Sequence, residues 1–585
     1  MRKTALLINV LIVVFLLPGT LTLAQQGAQD DRMIGTNDIL QAERVADADL
    51  GTFGVSTGTF DSFSSWGPKM HAAGVEWLRG FPEFADIEPV EGTWNWTDVD
   101  DELRTAETNH LKVSGLFIYN APWINSDLET FPTDNLPAWS TYISNTVKHV
   151  GGKIKYWEVW NEAPNFADND PTPGGYASMM RTAYPVTHAA NPHANVGMVA
   201  GAVDINWLDQ VLLAGATDNF DYITLHPYDV LASVDSGNYG WEAEFMSIVP
   251  TVRKMLASRN PAKLNVPIVF SEIGESIDDN VTPEIQAGDL VKAYTMGIAQ
   301  GVATVDWFEA QDDCCGEMGL LDANGKPRPD YTAMSVLTKL LGAHAQYIGW
   351  VLLNGRDYGF VFQGINTTIL ATWARPGTRD AVNFWQTVQV MNPITGNSTQ
   401  RSAYTLTNIP VLILGVPEQI LDQAKLNRDQ PFPWGGDFTN AKSVHVGLGA
   451  INTDEGLHQL GADTSSAGVT YYGSPARFCG ANAVQVFAVD PNFLSYTTVP
   501  IKVTAVVRGD AANDSAGFVL MYESTSGLKG TGTWNNVPDN SQWYTITWII
   551  DDAQFVGKWG YNIRLDSGST QYSQYYIQSL TVEKM

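Results

Sequence analysis

Between residues 50 and 343, short apolar runs alternate with longer stretches whose apolar residues recur at helical spacing. The runs at 52–56, 75–79, 112–119, 155–161, 195–201, 222–226, 267–271 and 304–307 read as eight strands. The segments between them read as helices. Tyr176, Met179, Met180, Ala183 and Tyr184, for example, keep the i, i+3, i+4 spacing of one helix face, closed by Asn191-Pro192. Eight β-then-α units in roughly 290 residues predict an α/β fold, a (β/α)8 TIM barrel.

After Gly342 the helical periodicity stops. Residues 344–425 alternate apolar and polar positions in short runs such as Tyr358-Gly-Phe-Val-Phe362 and Thr368-Ile-Leu-Ala-Thr-Trp373, which predicts a small antiparallel β domain. Residues 426–440, with two Pro and two Gly, read as a linker. From 441 to 585 the β texture resumes, clearest at 499–507, 517–522, 543–550 and 575–582, and predicts a β-sandwich of jelly-roll type.

Composition fixes the setting. Of the 585 residues 44% are hydrophobic and 17% charged, the balance of a folded chain with several cores. Residues 1–24 have the layout of a cleaved secretory signal: Arg2 and Lys3, an apolar run at 5–17, Pro18-Gly19, and small residues up to Ala24. A retained membrane anchor is the alternative reading, which the Pro-Gly break and the small residues disfavour. The mature protein, 25–343 being its barrel, is therefore expected outside the cell or in the periplasm, without a membrane partner. Its formal net charge, −29 for the whole chain and −31 once Arg2 and Lys3 leave, excludes nucleic acid as a partner. Three Cys do not make a disulfide framework. Cys314-Cys315 permits two thiols or a vicinal disulfide, Cys479 is left over in either case, and no metal-ligand spacing involves them.

Two strands end in a glutamate. Lys155-Tyr-Trp-Glu-Val-Trp-Asn-Glu162 and Pro267-Ile-Val-Phe-Ser-Glu272 each run from an apolar strand to a carboxylate. In one parallel barrel both strand ends open on the face where such barrels place their chemistry. A paired acid and nucleophile for cleaving a glycosidic bond is the leading hypothesis.

Trp160-Asn161-Glu162 and Ser271-Glu272 resemble the signature of the retaining (β/α)8 glycoside hydrolases of clan A. The resemblance covers roughly residues 50–420, because Gly319-Leu-Leu-Asp-Ala-Asn-Gly-Lys-Pro-Arg-Pro-Asp-Tyr331 and Pro410-Val-Leu-Ile-Leu-Gly415 are similar to members with a β domain after the barrel. Within the clan the chain looks most like family 39, whose Asn-Glu-Pro-Asn stands here as Asn161-Glu162-Ala163-Pro164-Asn165.

The resemblance implies Glu162 as acid/base, Glu272 as nucleophile, Asn161 as donor to the sugar 2-hydroxyl, Arg79 as support for the nucleophile, and Tyr228 as its hydrogen-bond partner. It also implies a poly- or oligosaccharide substrate with β linkages, such as xylan or a xyloside, a β-glucan or an exopolysaccharide, and no cofactor. From position alone, His226 at the end of the sixth strand is a subsite residue or a structural histidine. Trp307 is expected as an aromatic floor for the sugar, and Trp123 as an outer subsite or a core residue. Acid function requires a raised pKa at Glu162, and Glu158, one pleat deeper, is expected to point into the barrel as the buried partner of a cation or hydroxyl. Glu309, Asp312 and Asp313, after the eighth strand, read as binders of substrate hydroxyls or as solvated residues, and solvation is preferred.

Gly54-Val-Ser56-Thr-Gly58 matches the serine-hydrolase pattern G-x-S-x-G but lies in the first strand, the wrong context for a nucleophile elbow. A catalytically inactive carbohydrate-binding protein on the same barrel is the alternative to an enzyme. The C-terminal module reads as carbohydrate-binding, through Trp534, Trp543, Trp559 or the Tyr572 to Tyr576 cluster, or as structural. Asn95, Asn280, Asn366, Asn397 and Asn513 head five glycosylation sequons.

Overall fold

The computed structural model describes residues 49–585 apart from 166, 168–170, 236–240, 461–468, 481–483, 511–515, 539–541 and 569–573. The leader expected at 1–24 therefore lies outside the described residues, as do Asn513 and Tyr572.

Strands β1 (Phe53–Ser56), β2 (Trp77–Arg79), β3 (Lys112–Phe117), β4 (Ile154–Val159), β5 (Asn195–Ala200), β6 (Tyr222–Leu225), β7 (Ile268–Ile273) and β8 (Thr304–Phe308) form a closed barrel in sequence order. All eight pairings are parallel, and β8 closes on β1 with Val55 opposite Trp307 and Ser56 opposite Phe308. Each predicted strand is present. The helix with the Tyr176 stripe spans Pro173–Ala190 and buries Tyr176, Met179, Met180 and Ala183 against the barrel. The Thr172 side chain caps its start by accepting from Gly175 N.

The helix Pro283–Ala299 is buried on every face from Gln286 onward. The reason lies in the next unit, a six-stranded antiparallel sheet of β9 (Gln346–Leu353), β10 (Asp357–Gln363), β11 (Thr368–Thr372), β12 (Asp380–Met391), β13 (Ser398–Leu406) and β14 (Val411–Leu414). Period-two alternation gives this sheet two apolar faces. Trp350, Phe360, Phe362, Ile369 and Trp373 join the barrel's core. Val361, Leu370, Val390 and Ile413 face a second core closed by Ile420 and Ala424 of the helix Glu418–Asn427. That helix lies so close that a Cβ on Gly349 would stand 1.8 Å from Ala424 O.

The stretch expected as a linker is packed rather than free. Phe432 stacks on Tyr358 and Phe360 at 5.1 and 5.6 Å, and Trp434, fully buried, stacks on His458 at 3.8 Å.

Residues beyond 441 form two antiparallel sheets around a core that includes Val444, Phe487, Val503, Phe518, Leu520, Ile563 and Leu580. This sandwich is bonded to the barrel. Asn206 Nδ2 donates to Ser524 O at 2.9 Å and Gln554 O at 3.3 Å, Tyr496 Oη donates to Asp209 at 2.8 Å, and Trp241 Nε1 donates to Gly560 O at 2.8 Å.

Candidate active site

The barrel interior is layered, and strand alternation decides which side chain enters each layer. The lowest layer is apolar: Trp77, Tyr156, Tyr222 and Val269 form one buried cluster, with Trp77 edge-on to Tyr156 at 5.4 Å and Tyr156 to Tyr222 at 5.6 Å. Two residues further along β2 and β4 the same parity delivers Arg79 and Glu158, and β8 adds Asp306. Gly54 makes room for Asp306, since a Cβ there would stand 1.8 Å from Asp306 Oδ1. Burial pushes the Asp306 carboxyl well above the carboxylate range, and Glu158 pushes it the same way.

Arg79 joins this layer to the strand ends above it. Its Nε donates to Glu158 Oε2 at 3.0 Å and its Nη2 to Asn161 Oδ1 at 2.9 Å, while Nη1 donates to Glu272 Oε1. Burial opposes the guanidinium's charge, but Glu158 and Glu272 outweigh burial and hold its pKa above the ordinary value. Glu158 has no exposed surface, so it is the buried partner of a cation that its parity predicts. Ser56 accepts from Arg79 Nη1 at 3.4 Å, which accounts for the G-x-S-x-G match as barrel packing.

Above lie the two glutamates. Trp160 and Glu162 both take left-handed backbone angles, φ 75° and 46°, so the chain kinks where β4 ends and displays Asn161 and Glu162 in succession. Glu162 Oε1 is 2.7 Å from His226 Nδ1, and Glu272 Oε2 is 3.6 Å from the same nitrogen. His226 Nε2 meets Ser271 Oγ at 3.1 Å, and Tyr228 Oη donates to Glu272 Oε2 at 3.0 Å. One carboxylate oxygen from each glutamate and one imidazole nitrogen lie within 4.8 Å of one another. The glutamate side chains keep 16% and 12% exposure whereas His226 keeps none, so the carboxylates open to the mouth and the imidazole supports them from below.

This donor trio is of a kind that binds cations, yet the Arg79 guanidinium bonded to Glu272 places a positive charge beside it that opposes a metal ion. A second group, Glu309, Asp313 and Cys314, lies on the loop after β8. The Cys314 sulfur there is bonded to Cys315 and is not a thiolate.

Three expectations are corrected, at Glu162, Trp307 and Glu309. The raised pKa expected at Glu162 is not met in the free site: burial pushes it up, but the hydrogen bond and charge of His226, with Arg79, bring it below the ordinary glutamate value. Trp307 is no sugar floor. It shares the outward parity of Val55, opposite it on β1, and is fully buried among the barrel's outer core residues. Phe308 takes the inward position beside Ser56, its ring 6.4 Å from that of Tyr228. Trp123 is half-buried; its Nε1 donates to Glu88 O at 2.9 Å and its ring lies edge-on to Phe84, a packing role.

Sequence reasoning passed over Tyr119, whose hydroxyl is 3.5 Å from Asn161 Nδ2 and whose pKa burial pushes to about 12. It also read Glu309 as solvated. Glu309 is fully buried, and burial followed by its hydrogen bond with Asp313 raises its pKa to about 9. Asp312 is bound by both terminal nitrogens of Arg328 at 2.6 Å, and Asp313 accepts from Thr59 N and Oγ1 at 2.9 Å. In the C-terminal unit Trp534 is 41% exposed, Trp543, Trp559 and Tyr576 are half-buried, and Tyr575 is buried.

No protein-family model matches the sequence, and no curated protein matches it. Among solved structures, a family 39 glycoside hydrolase from the gut symbiont Bacteroides cellulosilyticus WH2 is 20% identical, with 62% of this chain and 80% of that chain covered and a TM-score of 0.53. A family 39 enzyme from Xanthomonas axonopodis pv. citri is 14% identical over 92% of this chain and 96% of that chain, with a TM-score of 0.43. A glucosidase from Croceicoccus marinus is 9% identical over the same shares, 92% and 96%, also with a TM-score of 0.43. The first of these likenesses, at 20% identity, is one of fold, and the fold is the (β/α)8 barrel.

Proposed function

We propose that the protein is a secreted retaining glycoside hydrolase that cleaves β-linked glycans by double displacement. The observation that carries the reading is the approach of two carboxylates from different strand ends to within 4.8 Å. Retaining enzymes hold their carboxyl pair about 5 to 5.5 Å apart, and inverting ones leave room for a water at about 6.5 to 9.5 Å.

In the first step a Glu272 oxygen attacks the anomeric carbon while Glu162 gives its proton to the leaving oxygen, and the bond between carbon and leaving oxygen breaks. In the second, Glu162 takes a proton from water, the water oxygen attacks the anomeric carbon, and the ester to Glu272 breaks. Arg79 and Tyr228 hold Glu272 aimed at the anomeric carbon, because each donates to one of its two oxygens. Asn161, with its Oδ1 occupied by Arg79 and one Nδ2 hydrogen directed at Tyr119 Oη at 3.5 Å, keeps its second Nδ2 hydrogen as a donor for a sugar hydroxyl. Phe308 offers its ring as the sugar floor. A glycoside bound over Glu162 excludes water from it and adds to the burial that raises its pKa against the lowering by His226 and Arg79, which favours a loaded acid when substrate arrives. Export follows from the leader at 1–24.

The test is reducing-sugar release from xylan, β-glucan, mannan, galactan and matched aryl β-glycosides by the purified protein, with Glu272→Gln in parallel. Release from one class that disappears in the variant is the expected result. Glycan binding without release from any of them would overturn it in favour of an inactive binding protein.

A further inference from the structure

The loop at residues 556–560 belongs to the C-terminal sandwich, but a buried carboxylate builds it and the barrel's mouth receives it. Glu523, 2% exposed, accepts from Val556 N at 2.8 Å, Gly557 N at 3.0 Å, Lys558 N at 2.8 Å and Asn562 Nδ2 at 2.8 Å. Four donors on one carboxylate fix the backbone of the loop before anything binds to it. Lys558 Nζ then reaches out of the sandwich to Asp204 Oδ2 at 2.6 Å, on the segment that follows β5. Gly560 accepts from Trp241 Nε1 and lies so close to the helix Tyr228–Val234, which follows β6, that a Cβ on it would stand 2.7 Å from Ser233 Oγ. Gly557 is similarly tight against Glu244, at 1.9 Å from a built Cβ to Oε1.

Between these two anchors stands Trp559, half-buried, with Lys558 Nζ 4.6 Å above its ring. It belongs to neither apolar core. The anchors place it on the strand-end face of the barrel, beside the element that begins with Tyr228 and Asp229. A Cβ on Gly560 would also stand 3.7 Å from Asp229 O, and Asp204 follows β5, the strand between β4 and β6, so the loop meets the mouth next to the β4 end that carries Glu162. A glycosidic acid faces the leaving group, so this side of the mouth is where the departing part of a chain must lie.

We infer that the sandwich completes the active-site mouth by supplying Trp559 and Lys558 as a binding subsite for the leaving-group sugars of an oligosaccharide. The Trp559 ring offers a stacking face to sugar C–H groups and Lys558 a donor to their hydroxyls. This rests on the glycosidase reading and adds to it the substrate class, chains that extend beyond the scissile bond on the reducing side.

The experiment compares wild type, Trp559→Ala and Trp559→Phe on 4-nitrophenyl β-glycosides and on xylo-, cello-, manno- and galacto-hexaoses. The expected result is a rise in KM of about tenfold for the cleaved hexaose in Trp559→Ala, recovery in Trp559→Phe, and less than a twofold change on the aryl glycoside, whose leaving group is too short to reach the loop. Equal losses on both substrates, or with them a fall in melting temperature that Trp559→Phe restores, would reduce Trp559 to a packing residue and overturn the inference. Unchanged hexaose kinetics would overturn it as well. A wild type that cleaves neither kind of substrate would instead overturn the glycosidase reading, and this inference with it.

Discussion

His226 Nδ1 lies 2.7 Å from Glu162 Oε1, and the imidazole has no exposed surface. A buried partner on the acid's own oxygen sets that acid's proton affinity. Replacing His226 by Ala removes the interaction that lowers the Glu162 pKa and leaves burial, which raises it. The alkaline limb of kcat/KM, which reports loss of the acid's proton in the free enzyme, is predicted to move to higher pH while kcat falls. A pH–rate profile on an aryl glycoside with a poor leaving group checks this; an unmoved alkaline limb contradicts it.

Arg79 carries a second prediction. Arg79→Met leaves Glu158, with no exposed surface, beside a neutral side chain, and an uncompensated buried charge typically costs about 3–5 kcal/mol. Unfolding in urea is predicted to show a loss of that order, and adding Glu158→Gln is predicted to recover part of it. Activity stays low in the double variant, since Glu272 still lacks its guanidinium. Recovery of activity together with stability would contradict this role.

Glu242 predicts a pH dependence of stability remote from the chemistry. It is fully buried, accepts from Trp373 Nε1 at 2.7 Å, and burial raises its pKa from 4.5 to about 7. The folded state therefore holds this proton more tightly than the unfolded chain. Its contribution is complete below pH 4.5 and is lost as pH rises toward 7. Glu242→Gln is predicted to match the wild type near pH 4 and to exceed it at pH 8 by on the order of 3 kcal/mol. Denaturant midpoints at the two pH values measure the difference; a constant offset would contradict it.

The Cys314–Cys315 disulfide makes a simple prediction. Denatured, unreduced protein is expected to titrate one thiol, the buried Cys479, and reduced protein three. Three thiols before reduction would contradict the bond.

The barrel was legible because each of its eight strands is an apolar run bounded by turn residues. Both glutamates follow from where those runs end. Trp307 shows how little margin that reasoning has. Ending the eighth strand at 307 instead of 308 made Trp307 its inward residue, and in a strand a shift of one position exchanges the two faces. The inward parity of Asp306, packed against Gly54, was the signal that Phe308 rather than Trp307 meets the mouth. Tyr119 carried the same kind of signal, a polar aromatic at a strand end of the same barrel. The seam between sandwich and barrel left no such trace: Lys558 and Asp204 are 354 residues apart, and nothing in either segment names the other. Residues 426–440 have the Pro and Gly of a linker, but those residues specify turns and do not distinguish a free turn from the packed one that buries Trp434.

The central claim is that Glu272 becomes covalently bound to the sugar. Incubation of the protein with activated 2-deoxy-2-fluoro-β-glycosides of xylose, glucose, mannose and galactose, followed by peptide mass spectrometry, tests it directly. The account predicts one fluoroglycosyl adduct, on the peptide that contains Glu272, absent from Glu272→Gln. An adduct on another carboxylate, or inverted product from a turned-over substrate with no adduct at all, would contradict it.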